Sequence, residues 1–410
     1  MGLPDLSRKL SAEIHARLKT LAGISDDPAC LTRTFLSPAH RRAGRQIGEW
    51  MAGAGLEVFE DSRGNVIGRK ACADADAVTV ACGSHLDTVR NAGSYDGALG
   101  VLAGIQAAEE LRNQSLPYHL EIVAFSDEEG VRFQSAYLGS RFYAGDQELL
   151  EIADTEGITF QEALASHRPS FPPPPARKLS AYVETHIEQG PVLEAGGLAL
   201  GVVSGIAGQT RAKVTLEGAA GHAGTVPMSL RKDALAGAAE CLLFVEKSAL
   251  EAGGLVATVG EIHVDSAAGN VIPGLVTFSL DIRDADDAKR KGFVSALFEK
   301  IRGIAQVRGL DCRIEIRMDS DAVPCDPLLT GQLARLVETR QGRCPLLTSG
   351  AGHDAVALAK VARVVMIFVR CRGGLSHHPD EYAAPDDIDA AVQILSNFLS
   401  GLQPVLPESP

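Results

Sequence analysis

Residues 77–87 read AVTVACGSHLD and residues 120–130 read LEIVAFSDEEG. Each begins as a short apolar run and ends in a polar cluster. The runs 77–82 and 120–125 have the length and composition of buried strands. Between them, residues 99–111 are helical in pattern and follow a glycine-rich turn. Strand, helix, strand predicts a mostly parallel or mixed sheet covered by helices. In such sheets functional loops leave the carboxyl ends of strands. Gly83-Ser84-His85-Leu86-Asp87 and Ser126-Asp127-Glu128-Glu129-Gly130 are predicted to follow these two strands.

Further along, residues 211–216 (RAKVTL) alternate polar and apolar, as a half-buried strand does. Residues 233–249 and 285–307 read as helices, and 255–263, 274–282 and 312–318 as strands. This βαββαβ order is that of a ferredoxin-like sandwich. Apolar segments then resume, with 364–369 (VVMIFV) as a buried strand. The expected architecture is α/β: a catalytic domain with a mixed sheet (residues 1–208 and 323–410) interrupted by a smaller inserted domain (209–322). The proline run at 172–175 reads as a linker or surface loop.

At 410 residues two domains are the ordinary expectation. The net charge of -13 argues against nucleic acid and anionic membranes as partners. It does not exclude a small anionic substrate, because metal ions and one arginine make a positive pocket inside an acidic protein. The first ten residues carry no long apolar run, and no stretch of about 18 apolar residues occurs. The eight cysteines form no CxxC pair and read as reduced thiols of a cytoplasmic protein.

Five segments hold polar residues that a core does not need. They are His85-Leu86-Asp87, Ser94-Tyr95-Asp96-Gly97, Glu128-Glu129, Thr185-His186-Ile187-Glu188-Gln189 and Ser376-His377-His378-Pro379. Together they offer imidazole nitrogens and carboxylate oxygens without thiolate, a donor set that suits Zn, Mn, Co or Fe. Two adjacent glutamates on an extended backbone point apart, so one can bind metal while the other accepts a proton from the attacking water. Taken alone, a His-x-Asp is more often a hydrogen-bonded surface pair and Glu-Glu a solvated face. The combination in ordered strand-end loops is what points to hydrolysis.

GSHLDTV, GSYDGALGVL, FSDEEGVRF, ETHIEQGPVLE, GHAGTVPM and LSHHPDE, spread in order over residues 83–381, resemble the M20-related amidohydrolases. The closest subgroup holds N-carbamoyl-L-amino acid hydrolases, β-ureidopropionases and allantoate amidohydrolases. The resemblance implies a homodimer, with the insert serving as a ferredoxin-like lid and dimerisation domain. It implies two divalent ions per subunit, Mn2+ or Zn2+ with Co2+ or Ni2+ as alternatives, held by His85, Asp96, Glu129, His186 and His377. Asp96 would bridge the ions, Glu128 would be the general base, and Asp87 would orient His85. His377 is chosen over His378 because the family ligand directly follows the serine. In the insert, His222 would steady the oxyanion. Asn270, Arg283 and Gln209 would bind substrate, Arg283 holding a carboxylate bidentately. Ordinary alternatives stand beside these: a histidine in a glycine-rich turn for His222, and a strand-end salt bridge for Arg283.

GIAGQTR (205–211), GHAGTVPMSLR (221–231) and FVRCRGGLSH (368–377) are closer to the allantoate branch. Hydrolysis of allantoate to ureidoglycine or ureidoglycolate, ammonia and CO2 is the expected reaction. N-carbamoyl-L-amino acid or 3-ureidopropionate hydrolysis is the alternative. An M20 aminoacylase or dipeptidase usually has an acidic residue in place of His186, and a non-catalytic binding relative would lack a ligand or the base. Of the other histidines, His353 reads as a hydrogen-bonded loop residue, His263 as structural and His167 as exposed.

Overall fold

The computed structural model describes residues 3–265 and 268–403, so the expected outer limits 1 and 410 lie outside the described residues. Among the described residues sixteen strands are formed. Before the insert come β1 (Glu57–Glu60), β2 (Val66–Lys70), β3 (Thr79–His85), β4 (His119–Phe125), β5 (Leu179–Ile187) and β6 (Leu200–Ile206). Then follow β7 (Gly208–Glu217), β8 (Gly221–His222), β9 (Val256–Thr258), β10 (Ile262–Val264), β11 (Val271–Ile272), β12 (Leu275–Asp284) and β13 (Asp311–Ser320). The last three are β14 (Val323–Pro324), β15 (Leu346–Ser349) and β16 (Arg363–Val369). The chain divides into two compact units, Met1–Ser204 with Cys325–Pro410, and Gly205–Pro324.

The first unit is built on a mixed sheet in the order β1-β2-β4-β3-β5-β16-β6. The central pairs β4/β3, β3/β5 and β5/β16 are parallel, and the outer pairs are antiparallel. β3 and β4 are buried along their whole length, which is why their middles read as apolar runs. The helix Ala98–Glu110 is buried around most of its circumference. It needs that composition because it lies among the sheet and the helices Leu3–Ala22 and Pro385–Gly401. The proline run is mostly exposed and belongs to no strand or helix.

In the second unit β10-β12-β7-β13 form an antiparallel sheet, with β9 also on β12. β12 alternates strictly, burying Val276, Phe278, Leu280 and Ile282 against the helices Ala234–Ala252 and Asp287–Val307. Each such side chain contributes roughly 1.5–3 kcal/mol of burial. Asp233 and Asp286 cap these helices, accepting N–H bonds at 3.0 Å. The strand expected over 255–263 is instead two short strands, β9 and β10. Their residues pair with different parts of β12, and Val259-Gly260-Glu261 between them breaks the run. All eight cysteines are unpaired, and among the described residues no helix is long and apolar enough to cross a membrane.

Candidate metal centre

The strand β3 runs on through His85, rather than ending before it, so the imidazole is set by a sheet position. Its Nδ1 lies 3.0 Å from the carbonyl oxygen of Asp87 and 3.5 Å from that residue's Oδ1. His186, near the end of β5, turns Nδ1 to the carbonyl of Ile187 at 2.9 Å. A carbonyl only accepts, so both Nδ1 atoms carry protons and a neutral ring keeps a bare lone pair at Nε2. Both Nε2 atoms face one oxygen, Asp96 Oδ1, at 3.3 and 3.0 Å. Lone pairs opposed to a carboxylate call for a cation between them, or for imidazolium rings.

The other oxygen of Asp96 faces elsewhere. Oδ2 lies 3.3 Å from His377 Nε2, which is 3.4 Å from Glu129 Oε1. Among the described residues three donor groups gather within 4.8 Å: His85 with Asp96 and His186, Asp96 with Glu129 and His377, and His85 with Glu128 and Glu129. His378 instead turns its Nδ1 to the N–H of Asp380. The two glutamates do not point apart as an extended backbone would require. Residues 126–129 form a bend after β4, and oxygens of both carboxylates converge beside His85.

Charge in this region is out of balance for a dry interior. Burial raises the pKa of Glu128 well above the usual carboxylate range, and the carboxylates of Glu129, Asp354 and Asp87 add to it. Glu129 is pushed up to about 7 by burial and by Asp96. Burial opposes a charge on His85, yet its bonds to Asp87 and Asp96 hold its pKa well above the ordinary value. Divalent cations relieve both sides of this arrangement. All-oxygen-and-nitrogen donors, already facing one another, fit such ions.

Sequence reading missed three supports. Gln189 Nε2 donates to Asp96 Oδ2 and to Ser376 Oγ, each at 3.0 Å, and Ser376 Oγ lies 2.9 Å from Asp96 Oδ2. Glu381 accepts the N–H groups of Tyr95 and Asp96 at 2.7 and 2.9 Å. All three stand inside motifs already singled out. Gly97 has φ 64°, and a Cβ there would lie 2.5 Å from the His85 ring. His353 is buried, bonded to Ser349 Oγ at 2.7 Å, with its ring 4.6 Å from that of His186. Two other histidines differ from expectation. His167 is buried against Glu60 at 3.1 Å because the chain packs back on β1, and His263 is exposed because β10 is an edge strand.

In the second unit Arg283 and Gln209 are register partners on β12 and β7. The Arg283 guanidinium grips Asp281 through Nε and Nη2 at 2.8 Å each, and Gln209 Nε2 donates to the same carboxylate at 2.8 Å. The strand-end salt bridge is thus present. His222 pairs with Val271 across β8 and β11, and the N–H of Ala223 donates to the Asn270 carbonyl at 2.9 Å. These two pairs stand apart. Along the β7/β12 ladder Gln209↔Arg283 is next to one end and Glu217↔Leu275 is the other, and the chain continues past the latter to the His222↔Val271 pair, with Asn270 adjacent. Eight residue steps at the usual strand rise make roughly 27 Å.

Imidazoles and carboxylates converging at the ends of a mixed sheet, with no thiol among them, are the donor set of hydrolases that use divalent metal ions. The particular family follows from comparison: residues 81–401 match the model of peptidase family M20/M25/M40, and the chain belongs to that family. It is 44% identical to an allantoate deiminase of Arabidopsis thaliana, over 95% of this chain and 82% of that one. It is 42% identical to an N-carbamoyl-L-amino-acid amidohydrolase of a Pseudomonas strain, over 88% of this chain and 91% of that one. Among solved structures, a hydantoinase/carbamoylase family amidase from Burkholderia multivorans superposes with a TM-score of 0.90 at 34% identity, covering 96% and 98% of the two chains.

Proposed function

We propose that this hydrolase cleaves a ureido C–N bond of a small anionic substrate, with allantoate as the preferred one. The observation that carries the reading is Asp96, whose two oxygens face two separate donor groups. His85, Asp96 and His186 would hold one ion, and Asp96, Glu129 and His377 a second. Two such ions, Mn2+ or Zn2+ with Co2+ or Ni2+ as alternatives, supply Lewis acidity that makes water nucleophilic near neutral pH.

The remaining work falls to the chain. Glu128 takes the proton of the attacking water and delivers it to the leaving nitrogen. His222 donates from Nε2 to the oxygen where negative charge develops. Arg283 holds the substrate carboxylate with Gln209 beside it, and Asn270 reaches the same carboxylate from the copy that supplies His222. The released carbamate falls apart to ammonia and CO2. Allantoate, with one carboxylate and two ureido arms, suits this set, and the relatives named for allantoate support it.

A substrate of this size spans well under the roughly 27 Å separating Gln209 and Arg283 from the His222 end of the ladder. That supports a homodimer in which each site takes His222 from one copy and Arg283 from the other, the inserted unit serving as lid and dimerisation domain. Soluble cytoplasmic residence goes with the same reading.

Hydrolysis of N-carbamoyl-L-amino acids is the second reading, favoured by the 42% identical relative. The test is a substrate panel. Ammonia release is followed with allantoate, N-carbamoyl-alanine and 3-ureidopropionate, and acetate release with N-acetyl-alanine. The highest kcat/KM is expected for allantoate, and faster turnover of N-acetyl-alanine would overturn ureido specificity.

A further inference from the structure

We propose that Arg231 is a positioning residue for His222, holding the turn that fixes which imidazole nitrogen carries the proton. The inference rests on the oxyanion role given to His222. Three observations within the inserted unit carry it.

First, the N–H of Gly224 donates to His222 Nδ1 at 3.1 Å. A nitrogen that accepts cannot hold the proton of a neutral ring, so the proton sits on Nε2. Nε2–H is the donor an oxyanion needs.

Second, the turn that places Gly224 is weakly closed by itself. The N–H groups of Thr225 and Val226 reach the His222 carbonyl at 3.2 and 3.3 Å, the long end of the hydrogen-bond range. His222, Gly224 and their neighbours on this turn are largely exposed, so packing does not hold it.

Third, Arg231 spans the turn from outside. Its Nε donates to the Val226 carbonyl at 3.1 Å and its Nη2 to the Ala223 carbonyl at 2.6 Å. These charge-assisted bonds hold both limbs of the turn at once, and a planar fork can do this where a lysine ammonium cannot. No acidic side chain forms a salt bridge with Arg231 among the described residues, so its charge is directed to these carbonyls. Gly224 is constrained for the same reason. A Cβ there would lie 3.3 Å from the His222 ring and press it off the amide.

The test combines rates with a spectroscopic reading of the ring. In the unaltered enzyme, nitrogen chemical shifts of histidine-labelled protein should show His222 as the Nε2–H tautomer, assigned by its loss in H222A. In R231A a mixed tautomer is expected. Its kcat should fall about 10- to 100-fold with KM and metal content held, the size expected when a catalytic group is misplaced by about 1 Å. Added guanidinium should restore part of the rate. R231K, which keeps charge but reaches one carbonyl, should fall between, and it carries the rate test if R231A does not fold. Wild-type kcat in both variants, beside a disabled H222A, would overturn the proposal. So would an Nδ1–H tautomer in the unaltered enzyme. Full activity of H222A would instead remove the oxyanion role, leaving the tautomer of R231A to decide whether Arg231 positions the ring.

Discussion

Asp87 holds Glu128 by its backbone: Oδ1 accepts the Glu128 N–H at 2.9 Å. Its other oxygen accepts the Glu129 N–H at 3.2 Å, while its own carbonyl serves His85. One residue just past the end of β3 thus sets the bend after β4 and the orientation of an imidazole. Asp87→Asn keeps the carbonyl but replaces one acceptor by an NH2 group that repels a backbone N–H. The expected outcome is a loss of about 10- to 100-fold in metal affinity or activity. Metal titration followed by calorimetry, alongside kcat, checks it.

Glu128→Gln should leave metal content intact and lower kcat by about 10²–10⁴, because an amide cannot accept the proton of water. Metal analysis and turnover on one preparation decide this. Substantial residual activity removes Glu128 from the base role.

Arg283→Lys should raise KM for a carboxylate substrate while the protein stays folded. Asp281 already occupies the guanidinium fork through Nε and Nη2. A lysine would keep the ion pair and lose the planar face that a second carboxylate needs. An unchanged KM counts against substrate binding by Arg283.

His222→Ala should lower kcat sharply without loss of metal. Mixed with Glu128→Gln under conditions of subunit exchange, it should recover part of the activity, since one composite site of a mixed dimer is intact. Proven exchange without recovery would defeat action between copies.

His40 gives a pH prediction away from the centre. Burial lowers its pKa from 6.5 to about 4, against the opposing pull of Asp87. The fold therefore favours the neutral ring. Stability from this group is complete above pH 6.5 and is lost as pH falls from there to about 4, the interval in which the unfolded chain takes up the proton and the native ring resists it. Asp61, raised to about 6 by burial, acts in the opposite sense over pH 4–6. The measurable quantity is therefore a difference. Unfolding free energy of the unaltered protein minus that of His40→Gln should rise by on the order of 3 kcal/mol from pH 4 to 6.5. A flat difference in urea titrations would refute it.

What could be read from the chain follows physical reach. β3 and β4 were legible because a strand buried on both faces is mostly apolar, and the stretches Val80-Ala81-Cys82 and Ile122-Val123-Ala124-Phe125 carry that signal. The longer strands of the second unit were legible because they alternate, with β12 as the clearest case. The break at Gly260 was hidden, since the residues on both sides of it pair with β12, as those of one strand would. His167 was misjudged because its partner, Glu60, is distant in sequence. Gln189, Ser376 and Glu381 gain their meaning only when three segments meet at Asp96. The convergence of Glu128 and Glu129 depended on a bend that composition does not announce.

β16 lies between β5 and β6, yet it is synthesised after the whole insert. A ribosome moving at about 5–20 residues per second needs roughly 10–35 s to pass from β5 to β16. For that interval the edge of β5 is bare, and a bare parallel edge is a template for wrong partners. The insert, with a core of its own, is synthesised in the meantime. Birth of the larger unit is therefore a waiting problem, and its yield in cells should respond to chaperone supply and translation speed more than the insert's does.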